Sequence, residues 1–102
     1  MSAKMNQRLI NLTCQLVIQE VEEILRGYPP NTYYSTFIIQ VWRQKLINHV
    51  LNQIPNHYYT ILEEEQELPQ DARFLYSSLA EQLQMEALIH ESMLDLIQQH
   101  SK

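Results

Sequence analysis

Leu9, Leu12, Leu16, Val17, Val21, Ile24 and Leu25 recur at three- and four-residue steps, which predicts an amphipathic helix from about residue 6 to Arg26. Arg26 complements the negative end of that helix, and Gly27 is expected as its left-handed cap residue. Tyr28-Pro29-Pro30-Asn31 predicts a stiff connection, with Asn31 or Thr32 capping the next helix. Ile38, Trp42, Leu46 and Val50 then stand four apart on a second helix, with Ile39 and Val41 widening the stripe. Lys45, Asn48, His49 and Asn52 share its other face. Proline lacks an amide hydrogen and disfavours helix in the residue before it, so Pro55 should end this helix close to Ile54.

Residues 58–62 read as a short extended exit, and the acidic run from Glu63 to Glu67 as a solvated linker. Pro69 suits a first helical turn, and nothing between Gln70 and Lys102 breaks a helix. Leu75, Leu79, Leu83, Ala87, Leu94 and Ile97 supply its apolar stripe. Roughly thirty residues is long for a helix in so small a chain, and such a helix usually packs in part on another subunit. The expected fold is therefore all-α, one domain over 1–102, with three main helices, the last long, assembled as a symmetric homodimer.

Composition narrows the function classes. No apolar run approaches the ~18 residues of a membrane span, and the N-terminus has no signal-peptide core, so no membrane role is expected. A single cysteine, Cys14, forms no internal disulfide and fits a reducing cytoplasm. One glycine excludes Gly-rich phosphate loops. The net charge of −5 is unevenly divided. Residues 1–60 hold Lys4, Arg8, Arg26, Arg43 and Lys45 against Glu20, Glu22 and Glu23, whereas residues 61–102 hold Arg73 and Lys102 against nine acids. An anionic ligand would be drawn to the first half. The acidic second half argues against direct nucleic-acid binding, where phosphate contacts dominate.

The stretch Leu51-Asn52-Gln53-Ile54-Pro55-Asn56-His57-Tyr58 resembles the signature of the late-competence ComFB family, and more closely its small cyanobacterial members that act as cyclic di-GMP receptors. A second block, Asn11 to Glu22 followed by Tyr28-Pro29, is similar to that family's first helix, with an early Asn, an apolar pair, an acidic tail and a Tyr-Pro exit. Together the two blocks cover roughly residues 8–60. Many family members carry a zinc-binding cysteine cluster between these blocks, and this chain has only Cys14, so a thiolate zinc site is excluded. The resemblance implies a cyclic di-GMP receptor that informs a downstream protein, for example a transcription factor.

Cyclic di-GMP presents two phosphates and two guanines. Binding it calls for forked cations, flat stacking partners, and amides or carboxylates for the guanine edges. Candidate ligand residues are Arg8, Arg26, Tyr28, Arg43, Lys45, Asn48, Asn52, Tyr58 and Tyr59. The bland alternatives are that Arg26 caps a helix, that Arg43 and Lys45 solvate a surface, and that the loop tyrosines plug a bundle. Trp42 reads as core. His49, His57, His90 and His100 have no metal-ligand spacing, no nucleophile motif is present, and neither a metal cofactor nor catalysis is expected. The competing class is a helical protein–protein adaptor or regulatory subunit without a small-molecule ligand. Accessible basic residues at the site would favour the receptor; an apolar groove without cations would favour the adaptor.

Overall fold

A computed structural model describes residues 7–28, 33–63, 66–68 and 70–100, apart from the side chains of Tyr33 and Tyr34. Three helices dominate: α1 (Leu12–Arg26), α2 (Gln40–Leu51) and α3 (Leu79–His100). Two short strands, β1 (Arg8–Asn11) and β2 (Tyr59–Leu62), pair antiparallel, with Arg8 opposite Leu62 and Asn11 opposite Tyr59. The fold is thus mostly helical with a small two-stranded sheet, which corrects the all-α expectation. No helix among the described residues is long and apolar enough to cross a membrane.

The helix expected from residue 6 starts at Leu12 for a local reason. Asn11 has extended backbone angles and its side chain accepts the Cys14 amide at 2.9 Å, a helix N-cap. Leu9 therefore lies in the strand and faces solvent rather than extending the helical stripe. At the other end Gly27 is right-handed, at φ −82° and ψ −10°, and not the left-handed residue expected. Its amide and that of Tyr28 close on the Ile24 and Leu25 carbonyls in a tightened last turn, so no left-handed residue is needed.

A 3₁₀ segment, Tyr33–Ile38, leads into α2. The expected caps Asn31 and Thr32, and the prolines beside them, lie outside the described residues. On α2 the buried face is Leu46, Ile47 and Val50, whereas Ile38, Ile39 and Val41 are exposed and Trp42 is half-buried. Ile47 thus takes the inward place expected of Val41 and Ile39. The helix ends at Leu51 with Asn52 as its C-cap, three residues before Pro55.

The third helix is shorter than expected, at 22 residues. Asp71 caps a 3₁₀ turn over Ala72–Leu75, Tyr76 is extended, and α3 begins only after Ser78. Ser78 Oγ accepts the Glu81 amide at 3.2 Å, while the Glu81 carboxylate accepts the amide and hydroxyl of Ser77. Ser78 thus caps the first turn, and Glu81 reaches back past it to Ser77, a variant of the capping box that sets the start. The strap from Gln70 to Ser78 is tied to α1 instead: Gln19 donates to the Gln70 carbonyl and accepts the Ala72 amide at 2.7 Å. Pro69, the expected first turn, lies outside the described residues.

The core joins Val17 and Val21 of α1, Phe37, Leu46, Ile47 and Val50 around α2, and Ile89 and Met93 of α3. The inward face of α3 therefore runs through Met85, Ile89, Met93 and Leu96; of the stripe read from the sequence, Leu79, Leu83, Ala87 and Leu94 face solvent, Leu75 is half-buried ahead of the helix, and Ile97 packs against the core. Replacing Asn11 by alanine should lower unfolding free energy by ~0.5–2 kcal/mol in urea titration, the ordinary loss for an N-cap. An unchanged midpoint would show that Asn11 does not set the helix start.

Candidate functional site

The loop after α2 is fixed at both ends. Gln53 and Ile54 close on the Val50 and Leu51 carbonyls, and the Gln53 amide reaches the His49 carbonyl and Ser92 Oγ at 3.2 and 3.4 Å. Ile54 packs against the core. At Tyr58 the backbone locks onto the start of α1. Its amide donates to Thr13 Oγ1 at 2.7 Å, and its carbonyl accepts the Leu12 and Thr13 amides at 2.8 and 3.3 Å. Two of the free amides of a helix N-terminus are thereby satisfied.

Holding the loop in this way leaves a cleft of about 360 Å³ between α1, the loop and α3. Leu16, Ile54, Leu75, Met85 and Leu88 give it an apolar lining, and Asn56, Tyr58, Glu81 and Gln84 bring polar groups to it. Tyr58 is 54% exposed. None of the described residues lining the cleft is Lys or Arg.

A second concavity, of about 420 Å³, lies at the opposite end of α1 and is lined by Glu22, Leu25, Arg26, Ile38 and Arg43. Its cations are engaged: Arg26 pairs with Glu23 at 2.7 Å, and Arg43 donates to the Phe37 and Ile38 carbonyls at 3.3 and 3.0 Å. From Thr13 to Arg26 the helix rises roughly 20 Å at 1.5 Å per residue.

The sequence-derived candidates are therefore divided. Tyr58 lines the cleft, Asn52 is the exposed C-cap that opens its loop, and Tyr59 sits next door on β2. Arg8, on β1, donates to the Gln66 carbonyl at 3.1 Å. Arg26 and Arg43 form the far concavity. Tyr28 bonds His90 Nδ1 at 2.5 Å, Lys45 Nζ lies 4.6 Å over the Trp42 ring, and Asn48 accepts from Gln44 at 3.1 Å. The chain does not gather these nine residues at a single place. Sequence reasoning missed Asn56, Glu81 and Gln84; the Ser78-x-x-Glu81 spacing was the available signal for Glu81.

Behind the cleft wall sits a buried acid. Glu20, on α1, is 4% exposed. Burial pushes its carboxyl above the usual range; Arg73 and the Tyr76 hydroxyl oppose the rise, and Glu86 and Glu23 add to it. Neither Glu20 Oε1 nor the Tyr76 hydroxyl has a partner at ordinary hydrogen-bond geometry. Burial also raises the Tyr76 phenol well above its normal value, with Glu20 and Glu86 adding, so it stays neutral in the physiological range. Among the described residues no cluster of His, Cys, Asp and Glu could hold a metal ion.

No protein-family model matches this chain, and no curated protein or solved structure matches it either. The ComFB resemblance stands on the quoted residues alone.

A carboxyl raised on folding binds its proton more tightly in the native state, so its contribution is greatest in acid and is lost as pH rises through the native value. Glu20→Gln should therefore raise the melting temperature at pH 8, and the gain should vanish below about pH 4, near the unfolded carboxyl value. Thermal melts followed by circular dichroism at both pH values check this; a variant less stable at pH 8 would contradict it.

Proposed function

We propose that this chain is a small cytoplasmic receptor for cyclic di-GMP that passes the ligand's concentration to a partner protein, with one guanine seated in the cleft. The observation that carries this reading is that the two sequence blocks resembling the ComFB family converge on that cleft. Thr13 and Leu16 come from the first block, and Gln53, Ile54, Pro55, Asn56 and Tyr58 from the second.

The lining suits a purine. A carboxylate such as Glu81 accepts guanine N1–H and N2–H together, amides such as Asn56 and Gln84 match the opposite edge, and Tyr58 offers a stacking face. Leu16, Met85 and Leu88 receive the apolar face of the base. With no Lys or Arg among the described residues of the cleft, the phosphates would stay at its wet mouth, where water screens their charge. Arg26 and Arg43 are too distant to serve the same ligand molecule within one protomer. The role is binding rather than catalysis.

The absence of Lys and Arg among the described residues that line the cleft supports a second reading, a helical adaptor that binds only proteins. Titration calorimetry separates the two. Cyclic di-GMP should bind wild-type protein, and Tyr58→Ala and Glu81→Gln should each weaken it by ~1–3 kcal/mol at unchanged helicity. A loss confined to Arg26→Ala and Arg43→Ala would move the ligand to the far concavity. No binding at about 100 µM ligand, where even a modest receptor would be half-filled, would leave the adaptor reading.

Assembly as a symmetric homodimer is part of the same proposal. A two-stranded ribbon is marginal alone, and β1–β2 exposes Leu9, Tyr59 and Ile61 on one face, which a second copy would cover. Sedimentation at micromolar concentration should give about twice the 12.2 kDa chain mass. A monomer at every concentration would remove the dimer.

A further inference from the structure

The outer flank of α3 is an apolar feature that neither the core nor the cleft uses. Leu79, Leu83, Ala87 and Leu94 follow at steps of four, four and seven residues, so they share one side of the helix. The three leucines are 68%, 54% and 45% exposed. From Leu79 to Leu94 the stripe runs roughly 22 Å, four helical turns. His90, on the same side, is held by the Tyr28 hydroxyl. A stripe of this length is the signature of helix-on-helix contact rather than of scattered surface leucines.

Charge decides what covers it. Glu86, half-buried, and Glu91, exposed, border the stripe on its two sides. Between Leu79 and His100 the sequence contains Glu81, Glu86, Glu91 and Asp95 but no Lys or Arg. A second copy of α3 laid along the stripe would bring its own acids against these with no base to offset them, and like charges across a helix seam are destabilising. A partner with apolar residues at the same spacing and Lys or Arg on its flanks meets both requirements.

We infer that the Leu79–Leu83–Ala87–Leu94 flank of α3 is the docking surface for a basic amphipathic helix of another protein. The apolar stripe supplies the contact area, and Glu86 and Glu91 set orientation and reject acidic competitors. Small Ala87, near the middle, lets the two backbones approach where the helices cross. This inference rests on the relay part of the proposed function and not on its ligand. The surface is separate from the cleft, although α3 carries both, so a ligand held by Glu81 and Gln84 acts on the same helix.

The test uses the full chain, without nucleotide, and two synthetic peptides of about five helical turns. Both carry leucine at the stripe spacing; one has lysine and the other glutamate at every remaining position. By fluorescence anisotropy the lysine peptide should bind at least ~10-fold more tightly than its glutamate twin. Leu83→Lys should weaken the lysine peptide ~10-fold or more, whereas Gln99→Lys, which adds the same charge away from the stripe, should change it by less than ~3-fold. Tyr58→Ala, in the cleft, should bind the peptide as wild type does. Equal affinity for both peptides, or equal losses in Leu83→Lys and Gln99→Lys, would overturn the inference. So would conversion of a dimer to a monomer by Leu83→Lys, because the stripe would then be the contact between copies. Peptide failure with nucleotide binding intact would overturn the docking surface and leave the ligand reading standing.

Discussion

The rest of the structure depends on one knot, the pairing of Tyr58 with the start of α1. Three hydrogen bonds, two into the Tyr58 carbonyl and one from its amide to Thr13 Oγ1, tie together segments 45 residues apart. They satisfy helix amides that would otherwise need water or a side-chain cap. They also fix where β2 must start, since Tyr59 pairs with Asn11, the residue that caps α1. The loop from Asn52 to Tyr58 is held at both ends, by α2 and by this knot, and the cleft lies between it, α1, the strap and α3. The candidate site is thus a by-product of satisfying a helix terminus.

The strap from Gln70 to Ser78 is held to α1 in a different way, by a side-chain clamp and the buried Ala72. Gln19 clamps its backbone, and a buried Glu20 lies behind Tyr76 with its charged form disfavoured. Leu75 and Tyr76 of this strap are cleft residues, as is Glu81 at the head of α3. The cleft therefore has one wall made by α1 and the loop and another made by the strap and α3, with the buried Glu20 of α1 next to Tyr76 where the two meet. The third helix also presents its leucine flank outward, so the candidate ligand and partner surfaces share one element.

Much of this was legible in the sequence because it follows from local rules. The helical spacing of Leu12 to Leu25, the Pro55 stop after α2, and the extended exit from Tyr58 all correspond to observed elements. The misread parts are those where a cap or a distant contact overrides periodicity. Leu9 continues the helical spacing of α1, yet Asn11 ends the helix before reaching it. Leu79, Leu83 and Leu94 have the spacing of a core stripe, but Met85, Ile89 and Met93 compete for the same burial from the neighbouring face and win it. Spacing states which residues share a face, not which of two apolar faces turns inward. The site suffered similarly. Arg26 and Arg43 have the chemistry for phosphate, but only the fold shows that they sit at the opposite end of α1 from Tyr58.

The central claim is that the convergence of the two resembling blocks makes the cleft a guanine site, and backbone amide resonances report on it directly. In a ¹⁵N heteronuclear correlation titration with cyclic di-GMP, a guanine in the cleft predicts shifts concentrated at Thr13, Gln53, Asn56, Tyr58, Gln84 and Leu88, with Arg26 and Arg43 undisturbed. Shifts centred on Arg26 and Arg43, or none at saturating ligand, would contradict it.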